Sequence, residues 1–317
     1  MTRRLLARPY AFALVLGLAL LAANVIAEPS FGRPSNWPEE LAAMTPFALV
    51  ALASTPAILS GGGGLDISVG PLMSLANVVL VVWLLPSRLG SAAVAVPLVL
   101  LLGAAAGALN GTLATVLRFQ PVLATLCMLF VFSGLAEAIG DQPTSAPPNF
   151  TTHLAHSLGP VPGALLLLVI PAAVWLGLRR TPFVRTLYLV GGDDIAALTA
   201  GVRVHRVRIA AYALGGVFAA TAGIALTALV QAASPDVGLR YTLIALAAVS
   251  LGGTPLGGGR GGLLGSFLGA ASIYLLQTLL GALDVTSTWL QLIYGALLAS
   301  GAILSAQVGA RPRRSRA

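Results

Sequence analysis

Long apolar runs alternate with short polar interruptions along nearly the whole chain. A membrane-spanning helix needs about 20 apolar residues, and that ruler marks ten segments. They are residues 10–27, 42–59, 69–85, 92–117, 122–139, 163–178, 209–230, 243–251, 263–283 and 289–306. The eighth is short before its glycines begin, and it reads as a broken or re-entrant span. The pattern predicts an all-α polytopic membrane protein with about ten transmembrane helices, in one domain covering residues 1–317. The first segment follows a basic start. It is long for a signal-peptide core, and no clear cleavage site precedes Glu28, so it is expected to remain as the first span.

The sharpest interruption is the polar, Arg-rich stretch 188–207, with greasy runs on both sides. Its middle opens with Asp193 and Asp194 and continues with good helix formers up to Ala200. Acids suit the positive end of a helix dipole. Gly201 stands where a helix-ending glycine belongs. The stretch therefore predicts a short surface helix at the membrane face, well placed to receive a push from a soluble partner. The plainer alternative is an ordinary loop between spans.

Composition supports the membrane reading. Mean hydropathy is +0.92, 57% of residues are apolar and 9% are charged, against about 25% charged in a soluble domain. All 18 basic residues are Arg. The sequence pI of 10.7 would suit a nucleic-acid partner, but the arginines are scattered among spans, and topology explains them better. Cytoplasmic loops carry the excess of positive charge. With the N-terminus inside and sides alternating, only Arg33, Arg88 and Arg240 fall outside. Ten spans also bring both basic termini to the cytoplasm. The polar stretch 188–207 is then cytoplasmic, and residues 141–162, which carry the sequon Asn149-Phe150-Thr151, form the longest external loop. Trp83, Trp175 and Trp289 fall near span ends, as interfacial belt residues do.

Candidate chemistry is sparse. The single cysteine, Cys127, excludes an internal disulfide and reads as a buried thiol. His153, His156 and His205 have no companions that complete a metal site. With no Lys, a phosphate-binding Walker lysine is impossible. No nucleophile with a base and no facing carboxylates are visible, which speaks against an enzyme. Asp66 is the most informative acid, because a carboxylate at membrane depth is costly and is usually paired or functional. It lies among glycines just before Ser68-Val69-Gly70-Pro71, which reads as a helix start. Asp66 and Ser68 either cap that helix or serve a gate or solute path. Asn110 lies within the fourth apolar segment and either packs helices together or lines a polar path. The glycine-rich stretches 60–70 and 251–261 echo one another, as in a duplicated half.

Four stretches, in order, resemble the permease subunits of bacterial sugar ATP-binding-cassette importers, the ribose/xylose/arabinose/autoinducer-2 group. Gly63-Gly64-Leu65-Asp66-Ile67-Ser68-Val69-Gly70 is similar to the family's G-G-x-D-L-S-V-G. Asn110-Gly111 followed by Pro121-Val122-Leu123-Ala124-Thr125-Leu126 is similar to its N-G and P-x-I-A-T-L. Residues 191–202 resemble its G-x-N-x-x-A-A-x-x-S-G-I loop, and residues 251–261 its I-G-G-T-S-L-x-G-G-R-G. Asp193 replaces the usual Asn, while Ala200 and Pro255 replace Ser.

The resemblance implies an inner-membrane, multi-pass permease that works as a dimer with a second copy or a paralogue. It implies two cytoplasmic ATPase subunits and a periplasmic or lipid-anchored solute-binding protein as partners, with no cofactor, metal or nucleic acid. Gly192, Asp193, Asp194, Ala196, Ala197 and Gly201 would form the helix that couples to the ATPase, and Asp66, Ser68 and Asn110 would belong to the solute path or gate. The cargo it implies is a monosaccharide or related polyol. The alternatives are branched-chain amino acids or nucleosides carried by the same architecture, and an ion-coupled transporter.

Overall fold

The computed structural model describes residues 10–158 and 161–285, together with 289, 292, 293, 295 and 296. Helix α1 (Ala11–Ala27) precedes α2 (Trp37–Leu59) and α3 (Val69–Val78), which runs on into a π-helical stretch, Val79–Leu84. Then come α4 (Ala92–Thr115), α5 (Pro121–Ile139) and the single turn α6 (Thr152–Ala155). Strands β1 (Ser157–Leu158) and β2 (Val161–Pro162) pair antiparallel and lead into α7 (Gly163–Arg179). The chain continues through α8 (Pro182–Gly192), α9 (Asp194–Thr199), α10 (Val204–Val230), α11 (Gly238–Leu251) and α12 (Leu263–Ala282). Proline opens α2, α5 and α8, where its missing N–H costs nothing.

The chain is an all-α polytopic membrane protein. Among the described residues, α2, α4, α5, α10 and α12 are each long and apolar enough to cross a bilayer. The pair α7 and α8 would make a sixth crossing but is bent by 85°. Three expected spans are shorter: α1, α3 with its π extension, and α11. The tenth expected span and the basic termini lie outside the described residues, apart from five positions in 289–296.

Helices α2 and α10 form the centre, with 83% and 72% of their apolar windows buried, against 28% for α4 and 33% for α5. The closest approach is between α4 and α10. Gly103, Gly107 and Gly111 recur every fourth residue on α4, and a Cβ at any of them would strike the α10 backbone or side chains at Gly216, Tyr212 or Ile209. Small residues at this spacing let two backbones touch, which is the main source of helix association in lipid.

Helix α10 serves as a depth gauge. Near its start Arg208 meets Ser60, and near its end Thr227 meets Asn77. At a rise of about 1.5 Å per residue, these levels lie roughly 28 Å apart, close to the hydrocarbon thickness of about 30 Å. The loops assigned to the inside, 60–66, 191–208 and 252–262, gather at the Arg208 end. The expected external loop gathers at the other, where Ala146 N donates to Gln231 O at 2.8 Å and Ala233 N to Thr144 O at 2.9 Å.

Two short spans have a physical cause. Helices α3 and α11 both start inside the bundle, and Gly70 and Gly238 near their N-termini touch. The chain before α3 enters as irregular backbone. Its backbone groups find side-chain partners: Thr125 Oγ1 accepts from Ile67 N, and Thr242 Oγ1 accepts from Gly70 N and donates to Ile67 O. Irregular backbone survives at membrane depth only when protein groups satisfy it in this way.

Two expectations need correction. Cys127 is exposed, not buried, because it lies on the face of α5 turned away from the bundle, among exposed Leu123, Leu126 and Phe130. Trp175 is buried in the core rather than belted at an interface.

Candidate functional site

The Arg208 end, named the inner end after the side its arginines predict, is built around a junction of three glycine segments. Gly61, Gly62 and Gly63 all have positive φ (65°, 63° and 73°), a run that no L side chain tolerates cheaply. A Cβ at Gly61 would stand 2.7 Å from Gly191 Cα, and one at Gly258 would stand 2.6 Å from Gly61 Cα. Gly259 N donates to Leu59 O at 3.2 Å. The two echoing glycine stretches therefore touch each other, with the end of α8 wedged between them. Tyr188 Oη donates to Gly261 O at 2.8 Å and ties α8 to the third segment.

From this junction α9 projects. Asp193 is its N-cap, and its Oδ1 accepts from Ala196 N at 2.9 Å. At the other end Gly201, at φ 81°, completes a full Schellman closure. Gly201 N donates to Leu198 O at 3.0 Å and Val202 N to Ala197 O at 3.0 Å. A six-residue helix would not persist without such ends. Ala197 is buried and seats the helix, while Gly192, Asp193, Ala196 and Gly201 are exposed and Asp194 is half-buried. Ile195 and Leu198 are 73% and 64% exposed. They lie at the inner end of the bundle, beside exposed Arg203, His205 and Arg206. Two large aliphatic side chains on a capped helix thus form an exposed apolar knob.

The second cluster lies one turn deeper. Asp66, Ser68 and Asn110 are all buried and come together. Ser68 N and Ser68 Oγ both donate to Asp66 Oδ1, at 2.9 and 2.7 Å. Asn110 Nδ2 donates to Ser68 Oγ at 2.7 Å and lies 3.3 Å from Asp66 Oδ2. Ser68 precedes α3, but its side chain makes no capping bond; it turns back to the carboxylate instead. The plain capping reading of Ser68 therefore fails, and the carboxylate is held by neutral donors from two helices. Asn110 Oδ1 and the buried hydroxyl of Tyr212 have no hydrogen-bond partner. Between this cluster and the junction is a small cavity of about 80 Å³, lined by Gly61, Gly62, Gly64, Ala114, Thr115, Pro121, Arg208 and Tyr212.

Sequence reasoning missed Arg208, Thr125, Thr242 and Tyr212. Arg208 counted only as one of many inside arginines. Thr125 lay within a recognised motif, in the first turn after Pro121, and could have been flagged as a hydroxyl near a helix start. Thr242 carried no local signal. No group of three or more His, Cys, Asp or Glu capable of holding a metal occurs among the described residues.

The chain is similar in sequence to known transport proteins. The chain is 35% identical over 300 residues to a ribose import permease protein of Bacillus subtilis (strain 168), covering 91% of this chain and 90% of that one. It is 32% identical over 304 residues to the ribose import permease protein of Escherichia coli (strain K12), covering 92% and 91%. It is 33% identical over 260 residues to an autoinducer 2 import system permease protein of Photorhabdus laumondii, covering 79% and 77%. No solved structure matches the chain. Residues 40–300 match the family described as the branched-chain amino acid transport system permease component, and the chain belongs to that family of transport permeases.

Proposed function

We propose that this chain is the membrane subunit of an ATP-binding-cassette importer for a monosaccharide or related small polyol. The observation that carries the proposal is α9: a helix capped at both ends, seated by Ala197 and showing Ile195 and Leu198 to the water at the inner end. Such a knob has no use inside a single chain and fits a groove on a cytoplasmic partner, here an ATPase subunit. The similarity to ribose and autoinducer 2 import permeases supports the cargo class. Ten spans, cytoplasmic termini, an inner-membrane location, a permease dimer and a solute-binding protein on the far side complete the reading.

In this mechanism ATP binding draws the paired ATPases together and displaces α9. The displacement reaches the glycine junction, and the bundle passes from outward-facing to inward-facing. The partner supplies the differential binding energy that shifts the population. Asp66, Ser68 and Asn110 form the polar closure of the path near its inner end. Their hydrogen bonds to one another exchange for bonds to solute hydroxyls as the path opens.

Co-purification and uptake test the proposal. Wild-type permease retains the ATPase in detergent, and Ile195→Asp loses it, because a charge cannot enter an apolar groove without a partner. Uptake in proteoliposomes requires ATP and a loaded binding protein. Uptake that proceeds without ATP contradicts the proposal. A second cargo, branched-chain amino acids, has support in the family's description. Competition between ribose, fructose and leucine for uptake distinguishes the two.

A further inference from the structure

The docking helix and the buried carboxylate cluster lie on different elements, and something must join them if one drives the other. Among the described residues a single ion pair is present, and it spans this gap. Arg208 Nη2 binds Asp194 Oδ2 at 2.9 Å. Asp194 is the first residue of α9. The same guanidinium turns its Nε toward Ser60 O, 3.4 Å away. Ser60 ends α2 and begins the loop that reaches Asp66 six residues later. Gly62 lies flat against the guanidinium; any Cβ there would collide with it. The loop between is folded into tight turns: Gly64 N donates to Gly61 O at 3.0 Å and Leu65 N to Gly63 O at 2.6 Å.

The other half of the cluster is anchored differently. Asn110 stands on α4 between Gly107 and Gly111, which pack on the α10 backbone at Tyr212 and Ile209. Arg208 is therefore at the base of the closely packed α4–α10 pair that carries Asn110, while its side chain reaches out to α9 and to the Ser60–Gly62 turn. A displacement of α9 relative to α10 pulls on one arm of the guanidinium and leaves Asn110 in place. The result is movement of Asp66 against Asn110.

We propose that Arg208 is the positioning residue that transmits motion of the docking helix to the Asp66–Ser68–Asn110 closure, acting as a two-armed link between Asp194 and the Ser60 carbonyl. This rests on the reading of α9 as the ATPase-docking helix. Arginine is required because its planar fork presents Nη2 and Nε in two fixed directions, whereas a lysine ammonium is a single point charge and cannot hold both partners. The pair is partly open to water, with side chains 18% and 44% exposed, so its worth to stability is small. Its use is directional rather than structural.

The test is the ratio of solute taken up to ATP hydrolysed in proteoliposomes holding permease, ATPase and loaded binding protein. Wild type, Arg208→Lys, Asp194→Asn and the double variant are compared. Because the quantity is a ratio over assembled complexes, a variant that merely folds less well lowers yield without moving it. Each single substitution is expected to lower the ratio about tenfold, and the double variant to be no worse than the poorer single, since both cut one link. A ratio unchanged in Arg208→Lys, or a double variant that falls about a hundredfold, overturns the proposal. Retention of the ATPase by Ile195→Asp would instead overturn the docking reading beneath it. Loss of the ATPase there together with an unchanged ratio in Arg208→Lys would sink the link alone.

Discussion

The two ends of the bundle are held together by different means. At the outer end, side chains staple the loops. Asn77, fully buried, donates to Thr227 Oγ1 at 2.8 Å and Ala232 O at 3.1 Å, and accepts from Ser234 N at 2.8 Å. Gln231 Nε2 donates to Thr151 Oγ1 at 3.1 Å, and Gln231 Oε1 accepts from Asn149 Nδ2 at 3.3 Å. At the inner end the elements meet mostly as bare backbone, glycine on glycine, with one partly exposed ion pair across them. Directional side-chain bonds at membrane depth resist displacement, whereas glycine contacts resist separation but permit sliding. The molecule is thus fastened by side chains at one end and jointed on glycine at the other.

The comparison can be broken at several points, beginning with the largest effect. Gly107→Leu drives a side chain into the Tyr212 carbonyl on α10. It is expected to abolish the monodisperse peak in detergent size-exclusion, because the closely packed pair that carries Asn110 cannot close. Asp66→Leu leaves Ser68 and Asn110 facing an apolar group and removes the polar closure. Uptake of radiolabelled ribose should fall at least tenfold, and retained uptake would take Asp66 out of the path.

Asn77→Ala sharpens the outer side of the comparison. It removes three hydrogen bonds at about 0.6 kcal/mol each in lipid, so thermal stability should drop by about 2 kcal/mol while uptake per ATP stays at the wild-type value. Gln231→Ala is the mildest. Its side chain joins α6 and the preceding loop to α10 and also reaches the last carbonyls of α10 at Thr227 and Ala228; a loss of about 1 kcal/mol is expected, with faster proteolysis of residues 141–158. A changed transport ratio in either variant would show that the outer end is not passive.

Much of the inner end could be read before any coordinates. Asp193 and Gly201 announced α9 because capping is local: an acceptor before the first turn and a residue free to take positive φ after the last. Arginine placement sorted the loops into two groups, and the loops assigned to one side do gather at one end. The shortness of α11 was legible in its early glycines, but the depth at which α3 and α11 start was not. An apolar run looks the same whether it starts at the membrane edge or inside the bundle, and only the tertiary partners Thr125 and Thr242 reveal which.

The meeting of Asp66 with Asn110, 44 residues apart, was hidden for the same reason. The four-residue glycine repeat of α4 was present in the chain and went unread, because in an apolar span glycine first suggests a break. Arg208 was concealed by its company: among 18 arginines nothing local separates one that sets topology from one that grips a carbonyl and a carboxylate at once.

Hydrogen–deuterium exchange of the permease in detergent, with and without its ATPase, tests the central claim most directly. The account predicts strong new protection of residues 193–202, smaller changes in 60–66, and exchange in 141–158 unaltered. Bound ATPase with no protection of 193–202, or protection confined to 141–158, would contradict it.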